Sequence, residues 1–453
     1  MKLNTERIHT IWHLTWPQCI MLLCQFVIGI TDVWAGGRIG SEVQASIGLI
    51  TQCHMMFMAL AMAAVSGAVA SISQSLGACK FVRARRYVGL VTIGCIAIGS
   101  AIAVAASVWR EPLLRLIQTP ESIMPVAIMF LTATIWGIPG QYTLTIGAAV
   151  FRSAKMVLIP LYVTGTACLL NVFGDLAFGL GWWGFPAYGA TGIAYSTLVS
   201  VTVGAALMLF LLMRHELFTR DSFPGWRWIK AGAPYLLKVA GPAFGTSFLW
   251  QTGYMVLYVI TASLPFGRVN ALAGLTTGLR VESILFLPAV AFSMTASVLV
   301  GHALGEGNHR ELLATLGIAC AGMCCVGAAI WPWRMELAGL IAPDPAVQVE
   351  TVKYLSFNIM AVPFTVASVV LAGGLNGAGA TVYPMVSFSF AVWAVRLPIA
   401  WLFGHIIWQD ASGVFLSTFV SQVVMSLSLL WVTLRCNWTR FALAVRPHTC
   451  ASR

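Results

Sequence analysis

Charge is what this sequence has least of. Asp, Glu, Lys and Arg make up 9% of its 453 residues, against about 25% in soluble domains. A soluble enzyme and a disordered chain are both excluded. No G-x-x-x-x-G-K-[ST] segment is present, so the chain has no means of hydrolysing ATP, and neither H-E-x-x-H nor G-x-S-x-G is found. His54, His302 and His405 are scattered over three apolar runs, without the His and acid cluster that a membrane-embedded transferase or protease needs, so enzyme activity is not expected. The eleven cysteines lie mostly inside apolar runs with no paired spacing. They read as small buried hydrophobes, not as a disulfide framework or a zinc site.

What fills the chain instead is apolar: 59% hydrophobic residues, with a mean hydropathy of +0.85. Such long runs exclude a transmembrane β-barrel, whose strands alternate polar and apolar residues. With about 20 apolar residues per spanning helix plus connections, the length accommodates roughly a dozen spans. Runs bounded by charges, Gly and Pro place them near 14–36, 45–72, 87–109, 123–149, 156–180 and 188–213. The second six lie near 234–264, 270–300, 312–332, 351–375, 383–408 and 412–435. The fold class is therefore an all-α polytopic membrane protein.

The net charge of +11 reports topology, and no nucleic-acid partner is expected. With the N-terminus inside, 17 basic residues fall on cytoplasmic segments and six on the opposite side. This positive-inside bias puts both termini in the cytoplasm, and the cell inner (plasma) membrane is the expected location.

Fixed offsets reveal a duplication. Pro17 answers Pro242 at 225, Leu76-Gly77 answers Leu304-Gly305 at 228, and Pro139 and Pro160 answer Pro363 and Pro384 at 224. "GIAYST" from Gly192 answers "GVFLST" from Gly413 at 221. Two six-helix lobes follow, at 1–213 and 234–435, with a polar linker at 214–233 and a basic tail at 436–453. Because six is even, the copies share one orientation and relate by pseudo-two-fold symmetry.

Only three of the fifteen acids sit deep in these spans: Asp32, Asp175 and Glu282. An Asp at a helix centre costs about 2.5–3.5 kcal/mol on insertion scales and marks an ion or substrate pathway. By the repeat, Asp32 corresponds to Leu257 and Asp175 to Ile399, so the second lobe lacks both carboxylates. Asn171 and Asp175 share a helix face, and Thr197 on the next span adds a hydroxyl. Asp32, Asn171, Asp175 and Thr197 make an all-oxygen site suited to a proton or a hard cation, not to a soft metal. Glu282, near a span entrance, pairs with a basic residue or water in this reading. With Arg280 and His54, its repeat counterpart, it forms a secondary polar site. Arg396, beside Pro398, is expected to support the second lobe by bonding carbonyl oxygens. The 17 Trp, 24 Phe and 18 Met suit a pliable cavity for flat cations as well as they suit lipid-facing belts.

Several segments together carry a family resemblance. Pro17 and "GITDVWAGGRIG" around Asp32, "SISQSLGACKFVRAR", "NVFGD" and "GATGIAYST" resemble the first half of a multidrug and toxic compound extrusion (MATE) transporter. "GLRVESILFLPAVAFSMTASVLVGHALGEGNHREL" and "VPFTVASVVLAGGLNGAGATVYP" resemble its second half. The resemblance implies twelve helices in two lobes about a V-shaped central cavity. It also implies export of organic cations or other amphipathic small molecules by alternating access, in exchange for H⁺ or Na⁺. Asp32, Asn171, Asp175 and Thr197 fall on the first-lobe cation site of the DNA-damage-inducible protein F branch, and the stretch around Phe248 to Gln251 holds no second-lobe acid. The implied partners are a small-molecule substrate and membrane lipid, with no cofactor beyond the coupling ion, and the chain is expected to act as a monomer. The other reading within the superfamily is a lipid-linked oligosaccharide flippase. That activity calls for a very basic cavity, for which Arg280 and Arg396 are the only intramembrane candidates.

Overall fold

The computed structural model describes residues 2–266, 268–307, 317 and 345–443. The expected ninth span at 312–332 and most of the basic tail lie outside them. Among the described residues every regular element is helical, as the bilayer demands. A backbone with no water to bond must satisfy its N–H and C=O groups within its own segment.

The helices are α1 (Lys2–Ile39), α2 (Ser41–Gly77), α3 (Phe81–Val108), the short α4 (Arg110–Leu116), α5 (Met124–Ser153), α6 (Leu158–Gly179) and α7 (Ala190–Arg214). After a polar connection come α8 (Trp226–Ala262), α9 (Arg268–Glu306), α10 (Pro345–Gly377), α11 (Val382–Ile407) and α12 (Ala411–Arg435). Ten helical segments among the described residues are long and apolar enough to span a bilayer. At 37 residues, α2 is ~55 Å long at 1.5 Å per residue, well beyond the ~30 Å hydrocarbon core. Pro17, Pro139, Pro288 and Pro363 stand inside helices. Each removes one backbone donor, and nearby hydroxyls bond the carbonyls at such points: Thr143 donates to the Pro139 oxygen at 2.7 Å and Thr246 to the Pro242 oxygen at 2.9 Å.

The chain separates into two compact units, Trp16–Leu237 and Met1–Thr15 with Lys238–Arg453. In the first, Ile47, Leu114, Phe130, Leu131, Ile135 and Ile193 are part of one buried cluster. The hydroxyl of Tyr142 on α5 donates to the Phe57 carbonyl of α2 at 2.6 Å. The 214–225 connection packs here as well: Arg85 pairs with Glu216 at 3.7 Å and Asp221 at 3.5 Å. In the second unit Leu257, Leu275, Tyr354, Leu355, Val414 and Phe415 share a core, and Thr15 bonds Thr295 at 2.9 Å. Large apolar side chains such as Met56, 79% exposed, face outward. In water that would be a liability, whereas toward acyl chains it carries no cost.

Among the described residues two helices are not uniformly α. In α6 the last turn, Asp175–Gly179, is a π-helix, and α11 carries two such segments, Phe390–Arg396 and Leu402–Ile407. π-turns insert a residue and are frequent at functional sites. One cysteine departs from the sequence reading. Cys19, Cys24, Cys53, Cys95, Cys168 and Cys436 are free, but Cys79 is disulfide-bonded. It sits in the turn between α2 and α3, outside the apolar runs, with a left-handed φ of 54°.

Candidate functional site

The four residues singled out for the first lobe meet between α1, α6 and α7. Close packing of α6 on α7 makes this possible and depends on small residues at the contact. A Cβ at Gly174 would collide with that of Ser196, and one at Gly192 with the Phe178 carbonyl. Hydroxyls on α7 are thereby held against the carboxamide and carboxylate of α6.

Asp175 and Asn171 are both fully buried. Asn171 Nδ2 donates to Thr197 Oγ1 at 3.0 Å, and Thr197 donates to the Ile193 carbonyl at 3.2 Å. Ser196 donates to Asp175 Oδ1 and also lies 2.9 Å from the Ile193 carbonyl. The sequence reading named Thr197 and passed over Ser196, though the two are adjacent in "GIAYST". The carboxyl of Asp32, from α1, reaches both Asp175 and Asn171 at hydrogen-bonding range.

Two carboxyl groups in contact bond each other only through a shared proton, since ionised carboxylates accept and never donate. Fully ionised, two unit charges about 4 Å apart repel by about 4 kcal/mol at an effective dielectric of 20. Three acceptor oxygens of this cluster, Asp32 Oδ1, Asp175 Oδ2 and Asn171 Oδ1, are buried without a donor. Buried acceptors left unsatisfied cost ~1–3 kcal/mol each, a cost that a proton or a hard cation placed among them would relieve. The unsatisfied acceptors are all oxygen. Among the described residues no group of three or more His, Cys, Asp or Glu is placed to hold a metal ion.

Next to the carboxylates, toward the α6–α7 loop, aromatic rings gather. Trp34 meets Trp182 edge-on at 6.2 Å, and Trp183 stacks on Phe173 at 5.5 Å. The loop turns sharply through Gly181 and Trp183, with φ of 76° and 58°. Arg38 lies over Trp34, 5.1 Å from the ring centroid. Composition alone singled out none of these rings.

The residues of the secondary polar group divide between the two units. His54 belongs to the unit Trp16–Leu237, whereas Arg280 and Glu282 belong to the other. Arg280 is exposed and forms no ion pair with Glu282 among the described residues. Glu282 Oε2 instead accepts from the Tyr354 hydroxyl, toward which Asn358 Nδ2 donates at 3.3 Å. Arg396, 1% exposed, donates from Nε to Ser421 Oγ at 2.8 Å. It lies over the faces of Trp250 and Tyr254, 5.2 and 5.3 Å from their centroids. A side-chain hydroxyl and two rings thus hold it, in place of the backbone carbonyls expected from the sequence.

Comparison with known proteins agrees with the duplication. The profile of the MatE family matches residues 17–176 and again 242–402. A probable multidrug resistance protein NorM of Thermotoga maritima is 25% identical over 432 residues, covering 94% of this chain and 91% of that protein. A FAD transporter of Shewanella oneidensis is 22% identical over 430 residues, 92% of each. The Vibrio cholerae MATE transporter VcmN in its bent form superposes with a TM-score of 0.86 at 19% identity, over 98% of this chain and 100% of that one.

Proposed function

Because the chain belongs to the MatE family of membrane transporters, with the twelve-helix, two-lobe fold of that family, we propose that it is an antiporter. It exports organic cations and other amphipathic small molecules by alternating access, driven by H⁺ or Na⁺ entering at Asp32 and Asp175. The observation that carries this reading is the contact between those two carboxyls, with three buried acceptor oxygens left over.

Coupling follows from linkage. An ion that binds the first lobe more tightly in one conformation shifts the population toward it by its differential affinity and no more. If that conformation holds the substrate less tightly, bound substrate must weaken ion binding by the same factor. Exchange of one for the other is the result. Asp32, on α1, bears on Asp175 and Asn171 of α6, so a proton or cation taken up there changes what joins the two helices. Ser196 and Thr197 hold the α6 partners in place from α7.

The cargo class rests on relatives named as multidrug resistance proteins. One named FAD transporter widens it beyond cations. Flippase activity toward lipid-linked oligosaccharides has less behind it: among the described residues Arg280 is exposed and Arg396 is a single buried guanidinium, fewer positive charges than a very basic cavity calls for. The 17-to-6 distribution of basic residues supports cytoplasmic termini in the inner membrane, and each lobe pair works as a monomer. The test is efflux of a fluorescent cation from proteoliposomes under an imposed pH or Na⁺ gradient, at matched protein levels. Asp32→Asn with Asp175→Asn abolishes gradient-driven efflux. Full transport by that double variant would place the coupling ion elsewhere.

A further inference from the structure

The second lobe carries a polar position of opposite sign in the place where the first lobe keeps its amide. Two hydrogen bonds establish the correspondence. In the first lobe Asn171 on α6 donates to Thr197 on α7 at 3.0 Å; in the second Arg396 on α11 donates to Ser421 on α12 at 2.8 Å. The donors are offset by 225 residues, the spacing at which Pro17 repeats as Pro242, whereas the 221-residue offset of "GIAYST" and "GVFLST" sets Thr197 against Thr418, one turn before Ser421. By the repeat the two aspartates become Leu257 and Ile399. The duplicated frame thus holds two acids and an amide on one side, and on the other a guanidinium with apolar residues at the positions of the two aspartates.

That guanidinium is incompletely satisfied. Nη1 of Arg396 is buried and has no hydrogen-bond partner, on a side chain only 1% exposed. No carboxylate pairs with it among the described residues, and Glu282 accepts its bond from Tyr354 instead. A buried charge without a counter-charge is costly, by several kcal/mol before compensation. The faces of Trp250 and Tyr254 offset part of that and leave Nη1 without a partner. Arg is the side chain whose planar donors match a carboxylate or phosphate. Trp250 and Tyr254 are half-buried, so this end of the site is a flat aromatic wall over a fixed positive charge.

We propose that Arg396, with Trp250 and Tyr254, is a binding site for the anionic group of an organic substrate, a carboxylate beside an aromatic or apolar body. It rests on the transporter reading only for the identity of the ligand, since binding here needs no ion gradient and no first-lobe aspartate. In this division of labour the first lobe takes the coupling ion and the second takes the negative end of the substrate.

The test is equilibrium binding of two matched dyes to the full-length protein in nanodiscs: tetramethylrhodamine methyl ester, a cation, and the corresponding free acid, a zwitterion. Arg396→Gln weakens binding of the acid at least tenfold and leaves the ester within twofold, and Arg396→Lys retains part of the acid's affinity. Equal loss of both dyes would reduce Arg396 to a structural role and overturn the proposal, as would unchanged binding of the acid or a wild type that does not bind it. Should Arg396→Gln fail to fold, the wild type alone decides: benzoate displaces the acid dye and benzamide, its neutral counterpart, does not. Displacement by benzamide as effective as by benzoate would also overturn it. Chloride competing as well as benzoate would assign the site to a simple halide in place of an organic anion.

Discussion

Replacing Asp32 by Asn tests the shared proton directly. The carboxamide has the shape of the carboxyl it replaces, but its donor is permanent. Asp175 Oδ2, buried with no donor, then accepts from the amide whatever the pH. A hydrogen bond to a charged group contributes ~1.5–3 kcal/mol. The compact unit Trp16–Leu237 falls in the size range where 1 kcal/mol moves the melting temperature by about 2–4 °C, so the expected gain is roughly 3–12 °C. It is conditional on protonation: where the wild-type pair holds its shared proton the two proteins melt together, and where that proton is lost the full difference opens. Thermal melting of the purified protein in detergent, followed by intrinsic fluorescence from pH 6 to 9, reads this. Gradient-driven efflux by the same variant is lost. A melting difference that stays flat across the range, or efflux at the wild-type level, would refute the argument that the two carboxyls share a titrating proton.

Ser196→Ala removes the donor on Asp175 Oδ1 and costs about 1.5–3 kcal/mol together with most gradient-driven efflux; Thr202→Ala, exposed on the same helix, changes neither melting nor transport. At the N-terminus of α12, Asp410 accepts from the Ser412 amide at 3.3 Å and pairs with Lys353 at 3.4 Å. Burial alone would raise its carboxyl, but the Ser412 hydroxyl and amide and the Lys353 ammonium outweigh it and hold the group below its ordinary range. Its stabilisation is therefore complete above the ordinary Asp pKa of about 3.9 and is lost as pH falls through the lowered value. Asp410→Ala costs ~0.5–2 kcal/mol as a lost cap at pH 7, and the melting curves of variant and wild type converge under strong acid. For topology, a membrane-impermeant maleimide labels Glu121→Cys from outside intact cells, whereas Lys155→Cys reacts only after the membrane is opened; reversed labelling would invert the orientation.

Helical class was legible because the bilayer leaves so few backbone solutions, and the duplication because prolines and glycines mark helix interiors and ends. Asp32 and Asp175 stood out by their cost alone. The division of labour between Ser196 and Thr197 was not legible: neighbours on a helix point about 100° apart, and the sequence does not state which of them meets the carboxylate. The contact of Glu282 with Tyr354 joins residues from helices far apart in sequence, so no local spacing announced it. The Cys79 disulfide was missed because one rule was applied to all cysteines, although this one lies in a turn. Nor does any residue signal foretell a π-turn, which depends on how neighbouring helices hold a segment.

Those π-turns bear on how such a protein changes over time. An extra residue in a helix rotates everything beyond it by about 100°. Helix α6 carries one such insertion and its counterpart α11 two, the first of which, Phe390–Arg396, has no equivalent in α6, so past it their faces no longer superpose residue for residue. Point substitutions can exchange an Asp for an Ile, but they cannot restore a lost register. Converting either lobe into a copy of the other would require a deletion inside a membrane helix, which swings every later side chain on that helix off its neighbours at once. The specialisation of the two halves therefore works as a ratchet: reached by small steps, and closed to return by the same route.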